Sequence, residues 1–542
     1  MNAAHPNPYD EVPYGDHYFP FTHPTHLCTL ARIFGIDAPD VESCRVLELG
    51  CASGGNLVPM ALELPRAEFL GIDLSVRQVA DGQALIERLG LRNLELRVLS
   101  LTDVNESFGH FDFILCHGVF SWVPTAVRDK ILDICVKHLS PNGVAYISYN
   151  TYPGWHGRGI IRDLLGYHVN RSKVTQGQPL EQVVEARSFL DRLTQVVPDQ
   201  DSSFARILRT ENRVLKQAPI PYVFHEHLEE NNQPLYFHEF MGLAQAKGLG
   251  FLAEARSGSM IDNLPPEARE ALEDWASDPI SREQYLDFLC NRTFRYTLLT
   301  HGNLKRLDEP DASLLGQLWF STNLTPTSPN PVVETDSPEE FEWVDVGGKL
   351  ATNNPLIKAA LVVLFEHAPQ ALAFEAIWEE VHKRLDRGSE SPTNAPDAPA
   401  ILKQALLRCY LSSLIQAHSR PLGSITEIQE CPLTSPLARI QAETADQVLN
   451  VRGRVVKLDP FERLTLRTLD GHHDRTAILA ALKAFVDRGE FTIYQDDTPL
   501  ADAGLIEQIL QSALEPCLER FSRQSLLLNP DAARDQPPGH CS

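Results

Sequence analysis

Short apolar runs alternate with longer runs of helical period along the first third of the chain. Residues 46–49 (VLEL) are apolar except for Glu48 and stop at Gly50, the pattern of a buried strand. Gly54 and Gly55 lie just before residues 57–64, whose spacing predicts a helix. A second strand is predicted at 68–72 (EFLGI), ending in Asp73, with a helix at 76–89. Strands at 94–99 and 111–116 follow, then a helix at 125–139, a turn at 140–143 and a fifth strand at 144–149. This alternation predicts a parallel, doubly wound sheet.

Beyond it the alternation stops. Leu180, Val183, Val184, Leu190, Leu193 and Val197 keep helical spacing, as do Phe204, Ile207, Leu208, Val214 and Leu215. The two amphipathic helices form an insertion whose apolar faces cover either an active site or a dimer interface. Residues 239–247 read as a helix, 251–255 as a strand, 282–290 as a helix and 293–300 as a further strand. Residues 325–341 (PTSPNPVVETDSPEEFE) have linker composition. Three predicted helices at 355–367, 373–385 and 400–418, with a short strand at 424–427, have the layout of a winged helix. Helices at 476–487 and 505–521 follow the string LDPFERLTLRTLDG (458–471), and the polar tail from Pro530 reads as disordered.

A glycine-rich turn between strand and helix lets the backbone approach a ligand and offers it free N–H groups. The spacing of Gly50, Gly54 and Gly55 is looser than G-x-G-x-x-G and by itself also fits a plain tight turn. Asp73 follows Gly55 at close to the ~20-residue spacing at which a carboxylate grips a ribose diol. Its other use is a helix N-cap, which Ser75 can serve instead.

The strings ELGCASGGN (48–56), GIDLS (71–75) and FDFILCHG (111–118) together resemble class I S-adenosylmethionine (SAM)-dependent methyltransferases. HGVFSWVP (117–124), SYNTYPGW (148–155), YDEVPY (9–14) and THP (22–24) resemble a narrower bacterial group carrying a methyltransferase regulatory domain. The rickettsial outer-membrane-protein lysine methyltransferases belong to that group. The resemblance covers most of residues 9–305 and the C-terminal part more loosely. It implies a Rossmann-like α/β domain of seven strands with a helical insertion, followed by a mainly α C-terminal half holding the winged-helix-like module. The implied segments are a SAM-binding core with an N-terminal lid at 1–155, a helical insertion at 156–237 and the rest of the sheet at 238–305. A linker at 306–345, a winged-helix-like domain at 346–430, a helical region at 431–530 and a tail at 531–542 complete them.

The resemblance also assigns roles. Gly50, Cys51, Gly54 and Gly55 shape the turn under the methionine part of SAM, and Glu48 holds the loop or the amino group. Asp73 and Leu74 take the ribose end. Many relatives place an aspartate directly after strand three, where this chain has Ser100, so the adenine contact falls either to Asp103 or to backbone groups at Leu101 and Thr102. His117 and Trp122 lie where substrate meets cofactor. His117 accepts a proton or hydrogen-bonds the methionine carboxylate, and Trp122 offers a face to an alkylammonium. Asn150, Tyr152 and Trp155 form the opposite wall, with Tyr149 and Tyr152 orienting a neutral amine. The N-P-P-Y motif of amide-nitrogen methyltransferases is absent.

Composition narrows the partners. The net charge of −24 and a third helix (400–418) holding only Lys403 and Arg408 argue against nucleic acid, which is bound through lysine and arginine. An acidic chain suits a basic partner, and the resemblance implies a protein acceptor, with lysine side chains leading. No apolar run reaches membrane-span length, the start lacks a secretion signal, and ten scattered cysteines without C-x-x-C fit a reducing cytoplasm. The cluster His225, Glu226, His227, Glu229, Glu230, His238 and Glu239 lacks H-E-x-x-H spacing, so a rim or structural role is expected and no metal. The other functions carried forward are a small-molecule or surface-polysaccharide methyltransferase and a SAM-binding regulator without turnover.

Overall fold

The computed structural model describes residues 8–13, 15, 17–172, 179–229, 231–256, 258, 264–343, 348–386, 391–425, 427–495 and 498–529. Tyr14, Glu230 and the tail from Pro530, each read from sequence above, lie outside the described residues.

A short helix α1 (Pro8–Glu11) and helix α2 (Pro24–Ile33) lead into a seven-stranded sheet. Its strands are β1 (Arg45–Leu49), β2 (Glu68–Asp73), β3 (Leu94–Val98), β4 (Phe111–Cys116), β5 (Leu139–Asn150), β6 (Leu249–Glu254) and β7 (Phe294–His301), in spatial order β3-β2-β1-β4-β5-β7-β6. The first five are parallel, and β7 runs antiparallel between β5 and β6. Helices α3 (Leu57–Glu63), α4 (Val76–Leu89) and α5 (Thr125–His138) cross between the parallel strands. Side chains alternate along each strand, so Val46 and Phe113 enter one apolar layer while Leu47 and Ile114 enter the other. The strand order reverses beside β1, and the ligand crevice of such a sheet opens there, at the carboxyl ends of the strands.

Beyond β5 come α6 (Gly154–Arg171), α7 (Pro179–Val196), α8 (Ser203–Gln217), α9 (Ile220–Val223) and a π-helical turn at Phe224–Leu228. This insertion is larger than the two helices expected, and it has its own core of Ile161, Leu165, Leu190, Leu208 and Leu215. Helix α10 (Phe237–Ala246) returns the chain to β6, and α11 (Pro266–Trp275) and α12 (Pro279–Cys290) lead to β7.

Three expectations need correction. The fifth strand begins at Leu139, because the Ser-Pro-Asn-Gly stretch is absorbed as an irregularity between the Phe111↔Leu139 and Phe113↔Val144 pairs. The segment read as a linker is built into the core: β8 (Trp319–Thr322), β9 (Leu324–Pro326) and β10 (Glu339–Trp343) form there, and Leu315, Phe320 and Phe341 are buried. Strand β10 also pairs with β11 (Gly348–Thr352). Among the helices after it, α13 (Pro355–Glu366), α14 (Phe374–Leu385) and α15 (Ala398–Leu411), the last ends early. Ser413 turns left-handed (φ 59°), and the chain continues as an edge of the sheet containing β8. That sheet has β12 (Leu372–Ala373) on one side of β8 and β13 (Ile415–His418) on the other.

The last part holds α16 (Pro436–Thr444), β14 (Gln447–Leu449), β15 (Val455–Lys457), α17 (Pro460–Arg467), α18 (Arg475–Asp487), the short pair β16 (Tyr494–Gln495) and β17 (Thr498–Pro499), and α19 (Ala503–Arg523). Its separate core gathers Leu466, Ile478, Leu510, Leu518 and Phe521. It braces the catalytic sheet directly. Arg88 of α4 pairs with Glu443 of α16 at 2.5 Å, and Arg420 reaches Glu42 at 2.9 Å. Tyr18 of the N-terminal segment lies against Gly453, where a Cβ would stand 2.0 Å from the ring.

Candidate active site

The turn after β1 is shaped by backbone that favours glycine. Gly50 has φ +80° and Gly54 has φ +76°, while Ala52 is held left-handed at φ 50°. The Ala52 N–H donates to Asp73 Oδ2 at 2.9 Å, which offsets the strain of that conformation. A Cβ on Gly50 would meet Val119 Cγ2 at 2.4 Å, so the 117–124 loop lies directly on the turn. A Cβ on Gly82 would stand 2.3 Å from the Ser53 carbonyl, so α4 also packs against it. Gly55 carries the turn into α3. Cys51 is buried and its thiol is held well above the usual range by burial, with Glu48 and Asp73 adding to it. It is a packing residue.

Glu48 sits beneath this turn, 3% exposed. Its Oε1 accepts from Asn56 Nδ2 at 2.8 Å, but its Oε2 is buried with no hydrogen-bond partner. Burial raises its pKa to about 8, opposed by the Asn56 hydrogen bond and helped by the nearby Asp73. Asn56 also ties down the N-terminal segment. It accepts from the Phe19 N–H at 3.0 Å and bonds Thr22 Oγ1 at 3.0 Å. This latch was not read from sequence, and its only local sign is a polar residue after Gly54-Gly55.

Asp73 points its other oxygen at the Ser75 N–H, 2.8 Å away, and Ser75 caps α4 by accepting from Gln78. Leu74 beside it is 60% exposed, unusual for so large an apolar side chain at a strand end. Ser100 takes the helix-capping role at the end of β3, its Oγ accepting from the Thr102 N–H at 3.2 Å. Leu101 is buried, and Thr102 and Asp103 are exposed at the rim of the same 3₁₀ turn.

At the end of β4, His117 Nδ1 hydrogen-bonds Tyr146 Oη at 2.7 Å, and its ring stacks at 3.8 Å on Phe19 of the lid. Burial, with His17 adding, lowers its pKa to about 3. It is therefore neutral at physiological pH and too weak a base for the proton-accepting use. Trp122 is half-buried, edge-on to Trp155 at 6.4 Å and under the Arg162 guanidinium at 5.9 Å. Asn150 and Tyr149 do not join them. Asn150 is buried and bonds Asn232, while Tyr149 stacks on Phe240 at 4.1 Å on the far layer of the sheet and bonds Thr297. A ring filling the core cannot orient an amine in the crevice. Tyr152 faces a rim formed with His156 and Tyr236.

The histidine–carboxylate cluster disperses. His238 bonds Gln284, and Glu239 caps the Tyr236 N–H. His225 sits between Glu229 and the Val12 carbonyl.

The donor set around the turn fits a ligand that brings a cation and a diol. The unpartnered buried oxygen of Glu48 wants a positive group, and Asp73 faces the crevice beside an exposed apolar side chain. Comparison with known proteins agrees. A methyltransferase domain profile matches residues 47–145, a predicted methyltransferase regulatory domain matches 220–301, and a PKMT C-terminal winged helix domain matches 430–526. The winged-helix match thus falls on the segment from α16 to α19, past the three helices in which sequence placed that module. The chain is 36% identical to the uncharacterized protein RP789 of Rickettsia prowazekii over 97% of its own length and 94% of that protein. A second R. prowazekii protein, RP028, is 39% identical over 44% of the chain and 94% of its own length. Among solved structures, PKMT2 from Rickettsia typhi, determined alone and in complex with AdoHcy, superposes with a TM-score of 0.84 at 30% identity, covering 95% of this chain and 100% of that one. The fold and site define a class I SAM-dependent methyltransferase. The chain belongs to the family of these enzymes that carries the methyltransferase regulatory domain and the PKMT winged helix.

Proposed function

We propose that this chain transfers a methyl group from SAM to lysine side chains of a protein. What carries the reading is the end-to-end likeness to PKMT2, which takes in the insertion and the C-terminal winged helix as well as the sheet. Bound SAM supplies a methyl group already activated on a positive sulfur. The protein's task is to hold it, align the acceptor and exclude water.

We assign Glu48 Oε2 to the methionyl ammonium, the Gly50–Gly55 turn to the rest of the methionine part, and Asp73 to the ribose hydroxyls. Leu74 and the 101–103 turn flank the adenine. Phe19, latched through Asn56, closes the site over His117. Trp122 and Tyr152 face the acceptor side. The insertion leaves Tyr167, Leu180, Val184 and Val196 exposed, which supports its use as a homodimer face. No helix among the described residues is long and apolar enough to cross a membrane, and the nine cysteines described are unpaired, which supports a cytoplasmic location.

The assignment of Glu48 has a proton signature. With its pKa near 8, the carboxyl is mostly protonated at pH 7, and an ammonium beside it favours the charged form. Binding of SAM at pH 7 is therefore expected to release close to one proton, with affinity rising as pH rises toward 8. Calorimetry in two buffers of different ionisation enthalpy reads this release. Equal heats in both buffers, or a release that survives Glu48→Gln, would remove Glu48 from the ammonium.

Methyl-labelled SAM incubated with the enzyme and bacterial lysate tests the whole reading. A labelled protein band whose methyl sits on lysine supports it, while a labelled small product overturns it. In the same assay Trp122→Ala is expected to lower turnover at least tenfold while SAM affinity stays within a few-fold. Loss of SAM binding in a folded Trp122→Ala protein would place that ring under the cofactor instead.

A further inference from the structure

The insertion brings a group of unsatisfied polar side chains to the edge of the methyl-transfer site. His227 is 1% exposed, and neither ring nitrogen has a hydrogen-bond partner. Trp155 Nε1 and Glu211 Oε2 are likewise buried without one. Leaving such groups unpaired costs stability, and it recurs where a ligand completes the set. Between His225 and His227 stands Glu226, whose carboxylate makes no hydrogen bond or ion pair among the described residues. It is only partly covered, so its carboxylate stays open to a ligand. All three lie on the π-helical turn, a backbone form that is rare and concentrated at functional sites.

The turn is fixed to the transfer site from two sides. The His225 Nε2–H donates to the Val12 carbonyl at 2.7 Å, and two residues earlier Asp10 bonds the Ser75 hydroxyl at 2.5 Å, beside Asp73. These two contacts tie the π-turn through residues 10–12 to the end of β2, where Asp73 stands. From the other side Arg162 lies over Trp122 at 5.9 Å and donates to the Glu226 carbonyl at 3.2 Å. Arg158 lies over Trp155 at 5.8 Å and pairs with Glu211 at 3.6 Å. Both guanidinium groups are thus engaged with rings, carbonyls or Glu211, and the Glu226 carboxylate is left with capacity for a cation.

We propose that a recess beside this carboxylate receives the acceptor's ammonium, with Glu226 as the group that binds it and removes its proton, His227 and Trp155 lining the bed. The proposal rests on the lysine reading above. A lysine ammonium has no free electron pair and must lose a proton before it can accept a methyl group. Glu226 takes that proton. The freed nitrogen pair forms the N–C bond as the bond from methyl to sulfur breaks, leaving S-adenosylhomocysteine and a methylated ammonium, and Glu226 returns its proton to solvent.

The surroundings suit the task. Burial raises the Glu226 pKa to about 7 against the lowering pull of Arg158, Arg162 and His225. Tyr222 and Glu211 face the same space, Glu229 holds His225, and His227 is kept neutral by burial and the two arginines. A carboxylate poised near neutrality both accepts and returns a proton readily.

The test uses the full chain and its Glu226→Gln variant. Line broadening of n-butylammonium chloride by NMR, with S-adenosylhomocysteine present, is expected to saturate for the wild type at pH 8. The apparent affinity should weaken as pH falls through about 7, and by at least tenfold in Glu226→Gln. Methyl transfer to lysate protein is expected to drop at least tenfold in the variant at pH 7 and to recover as pH approaches the lysine pKa of about 10.4. Calorimetric SAM affinity should not change. Equal amine binding by the two proteins, or matching pH profiles, would overturn the proposal. If the wild type binds the amine through Glu226 yet labels no protein, the recess stands and the protein-lysine reading falls. If it labels protein and the variant does so identically, that reading stands and the recess falls.

Discussion

Replacing Arg295 with methionine is expected to leave little folded protein at neutral pH. The guanidinium is fully buried on β7, between β5 and β6. Its Nη1 donates to Glu254 at 2.8 Å and Glu283 at 3.0 Å, its Nε to Asp287 at 2.9 Å, and its Nη2 to Asp287 and the Glu283 carbonyl at 2.8 Å each. The plane lies 3.9 Å over the Phe237 ring. Methionine keeps much of the volume but removes the cation that three buried carboxyl groups share, leaving beside them Arg292, which pairs with Asp287 at 2.8 Å. Breaking a buried pair from one side costs about 3–5 kcal/mol, a large part of the ~5–15 kcal/mol that holds a domain together.

The loss should depend on pH in a definite sense. Burial already raises Asp287 to about 6 despite Arg295, so its folded pKa lies above its unfolded one. Such a group stabilises fully below the unfolded value and loses that contribution as pH rises through about 6. Without Arg295 the Asp287 carboxyl should titrate higher still. Thermal unfolding of wild type and variant is therefore expected to differ least near pH 5 and most near pH 8. A variant melting within a few degrees of wild type at pH 8 would show that the cluster is dispensable.

That cluster was invisible in the sequence, where Glu254, Glu283, Asp287 and Arg295 stand on separate elements. Only the antiparallel insertion of β7 brings them together. The parallel strands were legible because both faces are covered and the apolar runs are continuous. Both later strands were placed within about two residues, for the same reason. Strands β8, β9 and β10 were not legible. They are short and sit among prolines and acids, and only pairing partners distant in sequence define them. The α15 boundary failed because apolar residues continue through Ile415 and Ala417, so period alone could not show the turn at Ser413.

The site divides along the same line. Glu48, Asp73 and the glycines proposed for the cofactor stand on one contiguous turn and its neighbouring strand, so local spacing groups them. Tyr149 was misplaced because alternation along β5 decides its face, and that face lies in the layer with Phe240. The Asn56 latch joins Phe19 and Thr22 across more than thirty residues. The Glu226 recess depends on a π-turn, which leaves no periodic mark.

Asp73→Ala should cost the enzyme its cofactor, lowering SAM affinity about ten- to a hundredfold, or 1.5–3 kcal/mol. The structure complicates the cause in a useful way. Asp73 accepts from the Ala52 and Ser75 N–H groups at 2.9 and 2.8 Å, so it holds the left-handed turn as well as serving the proposed ribose contact. Alanine removes both actions together. S-adenosylhomocysteine and its 2′-deoxy analogue separate them, because only the former offers the full diol. If Asp73 grips the diol, wild type should prefer the parent compound by about tenfold, and Asp73→Ala should bind the two alike. Asp73→Asn, which keeps one acceptor oxygen, should fall between. A preference that persists undiminished in Asp73→Ala would mean the carboxylate works only by fixing Ala52, leaving the ribose to some other group on the rim.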